Sequence, residues 1–493
     1  MRTLSTVFAT CFFFAVAICQ AAAATAAERP SVLLIYADDQ RADTIGAYGN
    51  PHIRTPNLDR LTEEGQSFRR TYCMGSNNGA VCVPSRAMLL TGRSLFHVSE
   101  KLDQGEPLMP RVFSDAGYRT FFTGKWHNGY GKDAENALSR AFDTGDAIYL
   151  GGMGDHLALP LVTLRNGRAE NRRVAGRYST ELFTEAATGF LERSRGSSDP
   201  FFLYVAMTAP HDPRQPPQGY GERFADSPPP LPPNFLPQHP FDNGSLVLRD
   251  ENLAAWPRDP AVIREQLGQY YAMIEHLDAH VGRLVESARR ADPNVIVVYA
   301  ADHGLALGSH GLLGKQSVYE HSMRAPLIFA GPGIEAGENE RLTYLFDIFP
   351  TLAELCGVPL PPGVDGVSQA LVLAGEDAPA RDALYLSYKG QQKAAVTDEW
   401  KLIRYPEVGV EQLFHLAKDP HEVHDLIDVP EHAAKRDELQ SLLRSLHAAA
   451  DDRFALAVDS LKPRERDLTG TPRKADRWQP DWIVERYFEA DEQ

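Results

Sequence analysis

The sequence predicts an α/β protein: a large, mostly parallel sheet covered on both faces by helices, followed by a smaller C-terminal antiparallel α+β subdomain. Three observations carry that expectation. Four apolar runs of strand length, at 31–37, 118–122, 201–207 and 295–300, each lead straight into ionisable residues. Continuous apolar runs suit strands buried on both faces, and the carboxyl ends of such strands share one rim, where ligands bind. Between the last two runs, Tyr270, Ile274, Leu277, Val281 and Leu284 recur at four-and-three spacing within 262–288, an amphipathic helix suited to a crossover. Beyond Gly366 the pattern changes to short runs at 383–388, 393–397, 400–405 and 412–416, then a helical stretch over 431–449.

Taken in order, residues 1–26 carry Arg2, an apolar run over 7–18 and then a stretch of small residues, the layout of a secretory signal. The run is too short for a good membrane span. The expectation is an exported protein, periplasmic or extracellular, with no transmembrane span. Cys19 invites a lipid anchor, but Ile18 stands where such a signal wants a small residue. The remainder divides at 27–375, a catalytic domain, and 376–493, the subdomain with a tail. Outside the leader there are Cys73, Cys82 and Cys356, an odd number and no disulfide framework. A net charge of −16 argues against nucleic acid as a partner.

The first run ends in Asp38-Asp39, two adjacent carboxylates that repel unless a cation sits between them, although in isolation such a pair is more often an acidic turn. Thr55-Pro56 predicts an N-cap with proline at the first helical position, and Gly65 a stop. Cys82-Val83-Pro84-Ser85-Arg86 opens a helix that Gly92 ends. Cys82 is thereby placed at a helix N-terminus, where free N–H groups and the helix dipole favour an anion, with Arg86 one turn on. A lone Cys-x-Pro is more often a core cysteine. The other runs deliver Gly124-Lys125-Trp126-His127, Pro210-His211 and Asp302-His303-Gly304, and Lys315 follows. Asp38, Asp39, Asp302 and His303 form a hard-ligand set that suits Ca²⁺, or less well Mg²⁺, whereas zinc would want more nitrogen or sulfur. Arg86, Lys125, His127, His211 and Lys315 supply positive charge and proton transfer for a tetrahedral anion.

The five residues from Cys82 to Arg86 resemble the maturation signature of type I sulfatases, whose cysteine is oxidised after translation to a formylglycine aldehyde. The other motifs resemble that family's set in its order, from Ser31 to Gly366. The resemblance implies an alkaline-phosphatase-like fold, hydrolysis of sulfate esters, and a formylglycine-generating machinery as a partner during maturation. It further implies one calcium held by Asp38, Asp39, Asp302, His303 and the oxidised Cys82, with Arg86, Lys125, His127, His211 and Lys315 around aldehyde and sulfate. His303 stands where many members have Asn, a departure within the ligand set. The tract from Ala306 to Lys315 is most similar to iduronate and related carbohydrate sulfatases. That implies a sulfated saccharide as substrate and places His310 beside Lys125, His211 and Lys315 in binding it. His211 is assigned to protonate the leaving alcohol, because it comes from a different strand end than Lys125 and His127; His127 is assigned to orient the hydrated aldehyde. Two other readings stay open: a phosphonate or phosphate-ester hydrolase on the same site, or a binding protein if Cys82 remains a thiol.

Residues 213–256, with ten prolines between Pro213 and Pro240, leave directly from His211 and form either a pocket wall or a surface excursion. The tail 462–493 carries Trp478, Trp482, Tyr487 and Phe488, which predicts that it docks on the body.

Overall fold

The computed structural model describes residues 29–475, 479 and 481–489; the leader with Cys19, and Trp478 of the tail, lie outside the described residues. The chain runs β1 (Val32–Ala37), α1 (Pro56–Glu64), β2 (Gln66–Tyr72), β3 (Gly75–Ser76), α2 (Cys82–Thr91), β4 (Arg119–Lys125), β5 (Thr144–Tyr149), β6 (Pro160–Arg165) and β7 (Arg168–Val174). It continues through α3 (Ser179–Ser194), β8 (Phe201–Ala206), α4 (Pro260–Ala291), β9 (Ile296–Ala301), β10 (Arg324–Ala325), β11 (Leu327–Ala330) and β12 (Gly337–Tyr344). The last part holds β13 (Ala383–Tyr388), β14 (Gln392–Thr397), β15 (Trp400–Tyr405), β16 (Val410–His415) and α5 (Ala433–Ala449), with shorter helical segments between.

Among the described residues the four expected strands lie at the heart of an 11-stranded sheet, in the order β9-β1-β8-β4, with β5 next to β4 and all five parallel. In register, Leu34 faces Tyr204 on one side and Val298 on the other. Every residue of β1 is buried, which is why its sequence is apolar without alternation. α3 packs on β4 and β8 and against α4, which also covers β1. The flanks are antiparallel: β11, β2 and β10 beyond β9, and the β5-β6-β7 meander on the other edge, while β12 runs parallel to β2. Between β6 and β7 the two-residue connection forces this, since a parallel neighbour needs a long crossover. The β6–β7 hairpin turns at Asn166-Gly167, both at positive φ (49° and 68°), and its second strand is largely exposed and polar, so apolar runs did not reveal it.

Thr55 is the N-cap residue of α1, Pro56 opens it and Gly65 closes it, as expected. The Thr55 hydroxyl is not what caps the helix: it donates to Asp59 Oδ1 at 2.9 Å and accepts from the Gly46 N–H at 2.8 Å. Gly65 is extended, and a Cβ there would lie 2.2 Å from the Phe329 carbonyl oxygen. At Cys82 the reading holds. α2 starts at Cys82, and Gly92 closes it at φ 65° with its N–H on the Met88 carbonyl.

The four C-terminal runs form an antiparallel sheet, β16-β15-β14-β13, and α5 packs on it. Its edge strand is β3, taken from the stretch just before Cys82 and paired parallel to β13. Gly75 sits there at φ 125°, where a Cβ would meet the Ser387 carbonyl oxygen at 1.8 Å. The small sheet therefore grips the segment that leads into α2. Residues 213–256 hold little regular structure, yet Asn234, His239, Asn243, Asp250 and Glu251 are buried. The closing helical turns, Asp481–Val484 and Glu485–Glu489, bury Ile483 and Tyr487 in a cluster with Ile263, Leu267 and Tyr270 of α4. Among the described residues no helix is long and apolar enough to cross a membrane.

Candidate active site

All the expected groups except His310 converge where the parallel strands end. Asp38 and Asp39 follow β1, Lys125 ends β4 with His127 two residues on, His211 lies on the loop after β8, and Asp302-His303 follow β9. Asp39 and His127 both take φ 63°, a left-handed conformation uncommon outside glycine and typical of functional sites. α2 brings Cys82 and Arg86 in from below, and the loop before β10 brings Lys315. None of these ten residues is more than 6% exposed.

Cys82 Sγ lies 3.2 Å from His127 Nδ1 and 3.7 Å from Lys125 Nζ. Burial pushes the thiol up, but Lys125, His127 and Lys315 outweigh it and hold Cys82 well below its ordinary range. An anion at position 82 is therefore favoured. His127, lowered to about 4 chiefly by burial, is a neutral imidazole. Its Nε2 side is accommodated by Gly152, where a Cβ would lie 2.1 Å from that nitrogen.

Behind Cys82, Arg86 spans two carboxylates, with Nη2 3.5 Å from Asp38 Oδ1 and 3.3 Å from Asp302 Oδ2, while Nη1 donates to the Lys125 carbonyl at 3.1 Å. Lys125 Nζ also bonds Asp38 Oδ2. Asp38 is held well below the usual carboxylate range, burial being outweighed by Lys125, His211 and Arg86. Lys315 Nζ donates to both oxygens of Asp39 at 2.8 and 2.7 Å and lies 2.8 Å from His211 Nε2. The His211 Nδ1–H donates to the Asp212 carbonyl at 2.7 Å. Burial lowers His211, but Asp39, 3.6 Å from Nε2, and Asp212 outweigh it, so the ring sits above its ordinary range.

A divalent cation fits this donor set. Asp38, Asp39 and Asp302 each offer a carboxylate oxygen within 4.8 Å of the others, and Cys82 Sγ, Asp302 and His303 do the same. Among the described residues Asp38 Oδ1 and His303 Nε2 are buried without a hydrogen-bond partner, whereas His303 Nδ1 donates to the Gly304 carbonyl at 2.9 Å. A histidine whose other nitrogen is thus committed presents Nε2 as a ligand. Burial, together with the Asp38 charge and against the pull of His303, raises Asp302 to about 7; the carboxylates of Asp302 and Asp39 overcome burial to raise His303 to about 9. Without a cation the cluster holds protons in its place, which is the competition expected of a metal site.

His310 is not brought to this cluster. Its ring stacks on Tyr319 at 3.9 Å and its Nε2 donates to the Glu422 carbonyl at 2.9 Å, tying the catalytic part to the loop after β16. The sequence contains the reason in retrospect: His310 is five residues from Lys315, but φ 53° at His310 and 75° at Gly311 turn the chain away between them.

Four site neighbours escaped the sequence reading. Asp212 follows His211; Asp250 Oδ2 lies 3.8 Å from Lys315 Nζ, and Arg249 Nε lies 3.7 Å from Asp250 Oδ1. His156, kept neutral at about 4 by burial, donates from Nε2 to the His211 carbonyl at 3.2 Å and so fixes that loop from behind. Only Asp212 had a sequence signal, its place beside His211. Asp250 and Arg249 lie in an aperiodic segment, and His156 is remote in the chain.

A model of the sulfatase family matches residues 30–358, and one described as N-sulphoglucosamine sulphohydrolase, C-terminal, matches residues 308–449. The chain is 27% identical over 451 residues to an ulvan-active sulfatase of Formosa agariphila, covering 86% of this chain and 82% of that protein. It is 26% identical over 500 residues to an N-acetylglucosamine-6-O-sulfatase of Bacteroides thetaiotaomicron, covering 84% and 86%. A solved structure described as a complex with its substrate D-glucosamine-2-N,6-O-disulfate superposes with a TM-score of 0.73 at 23% identity, over 86% of this chain and 99% of that one, which shows a shared fold. The family model spans most of the sequence and contains every member of the rim cluster, from Asp38 to Lys315: the chain belongs to the sulfatase family.

Proposed function

We propose that this sulfuric ester hydrolase removes sulfate from a sulfated saccharide, with position 82 matured to formylglycine and Ca²⁺ at Asp38, Asp39, Asp302 and His303. The observation that carries the reading is the setting of Cys82: a buried reactive atom at a helix N-terminus, with Lys125 and His127 on it and Lys315 within electrostatic reach. Cys82 Sγ stands where an oxygen of the hydrated aldehyde would be. The cation and the aldehyde, once present, would supply charge neutralisation and an attacking hydroxyl of low pKa.

The chain's own residues account for the rest. His127 Nδ1 faces position 82 and, being neutral, orients a hydroxyl there by accepting its hydrogen bond. Lys125 and Lys315 approach from two sides and offset charge on the transferring group, as cationic clamps do for phosphoryl groups. Arg86 holds Asp38 and Asp302 in place as ligands. His211, whose hold on a proton Asp39 and Asp212 strengthen against burial, gives a proton to the departing sugar oxygen, with the Lys315 cation beside Nε2. Three carboxylates and one imidazole favour Ca²⁺, which takes many oxygen ligands in flexible geometry, over Mg²⁺. The leader-like residues 1–26 support export, and the carbohydrate sulfatases among the relatives support a sugar.

The test is mass spectrometry of the Cys82 peptide alongside sulfate release from sulfated sugars and phosphate release from their phosphate analogues. An aldehyde at position 82 with sulfate released in preference supports the reading. A free thiol in protein that still turns over overturns the nucleophile, and preference for the phosphate analogue overturns the substrate.

A further inference from the structure

Beside the His211–Lys315 pair, two aspartate–arginine pairs hold hydrogen-bonding capacity in reserve. Arg214 Nη1 lies 3.8 Å from Asp212 Oδ1, and Arg249 Nε lies 3.7 Å from Asp250 Oδ1, both too far for hydrogen bonds. Asp212, Arg214 and Asp250 are at most 2% exposed. Yet among the described residues neither Asp250 oxygen, neither Asp212 oxygen and no guanidinium nitrogen of Arg214 has a hydrogen-bond partner. Asp212 Oδ1 does lie 3.0 Å from His211 Nδ1, but that N–H is directed at the Asp212 carbonyl. The Arg249 side chain, 21% exposed, makes the long pair with Asp250 and is within electrostatic reach of Asp212, Cys82 and Asp39.

Buried polar atoms left unpaired are destabilising, so stability does not account for them. A buried pair can be closed, as where Arg381 bonds both oxygens of Asp347 at 2.6 and 2.7 Å. These two open pairs flank the proposed reaction centre, and both stand on the proline-rich excursion that leaves from His211 or on the loop that starts it.

The chemistry of the missing partner follows from the two signs present. A second sulfate would satisfy the arginines but set its charge against Asp212 and Asp250. An aromatic ring could lie against a guanidinium but would offer the carboxylates no donor. Sugar hydroxyls donate to carboxylates and accept from guanidinium groups at once. We propose that Asp212, Arg214, Arg249 and Asp250 form the subsite that holds the hydroxyls of the sugar ring bearing the sulfate, making them specificity-determining residues for saccharide over aryl esters. A ring held at Asp212 is placed next to His211, the proposed acid for its departing oxygen. The inference rests on the reading of the substrate as a sugar sulfate.

The test is calorimetric binding to Cys82→Ala protein, which needs neither the aldehyde nor turnover. The probes are N-acetylglucosamine 6-sulfate, N-acetylgalactosamine 6-sulfate and inorganic sulfate. The parent should bind at least one sugar sulfate more tightly than inorganic sulfate. Arg249→Ala and Asp250→Asn should each cut that preference at least tenfold. In matured enzyme the same changes should raise KM for the sugar sulfate at least tenfold more than KM for 4-nitrophenyl sulfate. Arg249 is partly exposed, so Arg249→Ala, and Arg249→Lys as a milder change, keep the test open if Asp250→Asn fails to fold. Equal losses on sugar and inorganic sulfate, or a parent with no preference for either sugar, would overturn the subsite. Failure of the hydrolase reading is separate: it would show as no sulfate release by matured parent whatever binds.

Discussion

At the scale of single residues, the proposed chemistry rests on Cys82 being surrounded by cations that no structural cysteine needs. Cys73 and Cys356 are the contrast: both are buried and free, and burial pushes them up to about 12 and about 11, where they are inert. Cys82→Ala should therefore fold, with a melting temperature near that of the parent, but lose about 10³-fold or more in sulfate release. Release within tenfold of the parent would contradict the assignment. Asp302 meets Arg86 through one oxygen and the Asp39 N–H through the other, at 2.9 Å, so its removal takes a proposed ligand and loosens a second. A chelator should abolish activity and added Ca²⁺ restore it, with Asp302→Ala insensitive to both. Sulfate release measured on protein shown to be metal-free by elemental analysis decides this.

At the scale of elements, the rim works because strand ends are followed by tightly specified loops rather than by flexible ones. The loop after β5 is an instance. Gly152 carries no chemistry, yet a methyl group there would overlap His127 Nε2 and drive the ring toward Cys82, 3.2 Å away on its other side. Gly152→Ala should leave the melting temperature within a few degrees of the parent, since loop substitutions outside the core are mild, while kcat falls about tenfold or more. A fall in KM alone with kcat intact would show that His127 is not held in this way. The loop carrying Arg249 and Asp250 shows the same economy: without a strand or long helix, it is ordered by Arg258, which donates to the Glu251 and Ala254 carbonyls and bonds the Glu251 carboxylate.

At the scale of the molecule, the C-terminal part is tied to the rest by specific contacts, and one of them is sensitive to pH. His97 bonds Asp365 through Nδ1 at 2.8 Å and Asp451, just after α5, through Nε2 at 3.0 Å. Hydrogen bonds to Asp451 and Asp365 raise it above 6.5. A raised folded-state value means the stabilisation is fully present below the unfolded value, about 6.5, and is lost as pH rises through the folded one. The melting-temperature difference between parent and His97→Gln should be greatest below pH 6.5 and vanish in alkali. It should also be small, because the ring is 39% exposed and solvent screens such pairs. The whole-molecule charge bears on substrate. A net charge of −16 repels a polyanion, while Arg86, Lys125 and Lys315 are gathered at one buried centre, so a terminal sulfate on a short saccharide should be preferred. Oligosaccharides should be desulfated faster than their parent polysaccharide at equal sulfate concentration; sizing the products shows whether interior units react first, which would contradict it.

The sequence by itself determined the parallel core, the small antiparallel sheet and nearly all of the rim. A strand buried on both faces has to be apolar throughout, so β1, β4, β8 and β9 are legible as runs, and the ionisable residues that end them are legible as their exceptions. Pro84 and Gly92 likewise marked α2 and put Cys82 at its start. Tertiary structure alone decided the antiparallel flanks, the pairing of β3 with β13, and the fate of His310, which stacks on Tyr319 instead of joining Lys315. It alone also brought Asp250, Arg249 and His156 to the site. Periodicity reports how a residue lies on its own element. It is silent about aperiodic loops whose side chains meet only after segments far apart in the chain have packed, and those contacts supply what surrounds the reaction centre here.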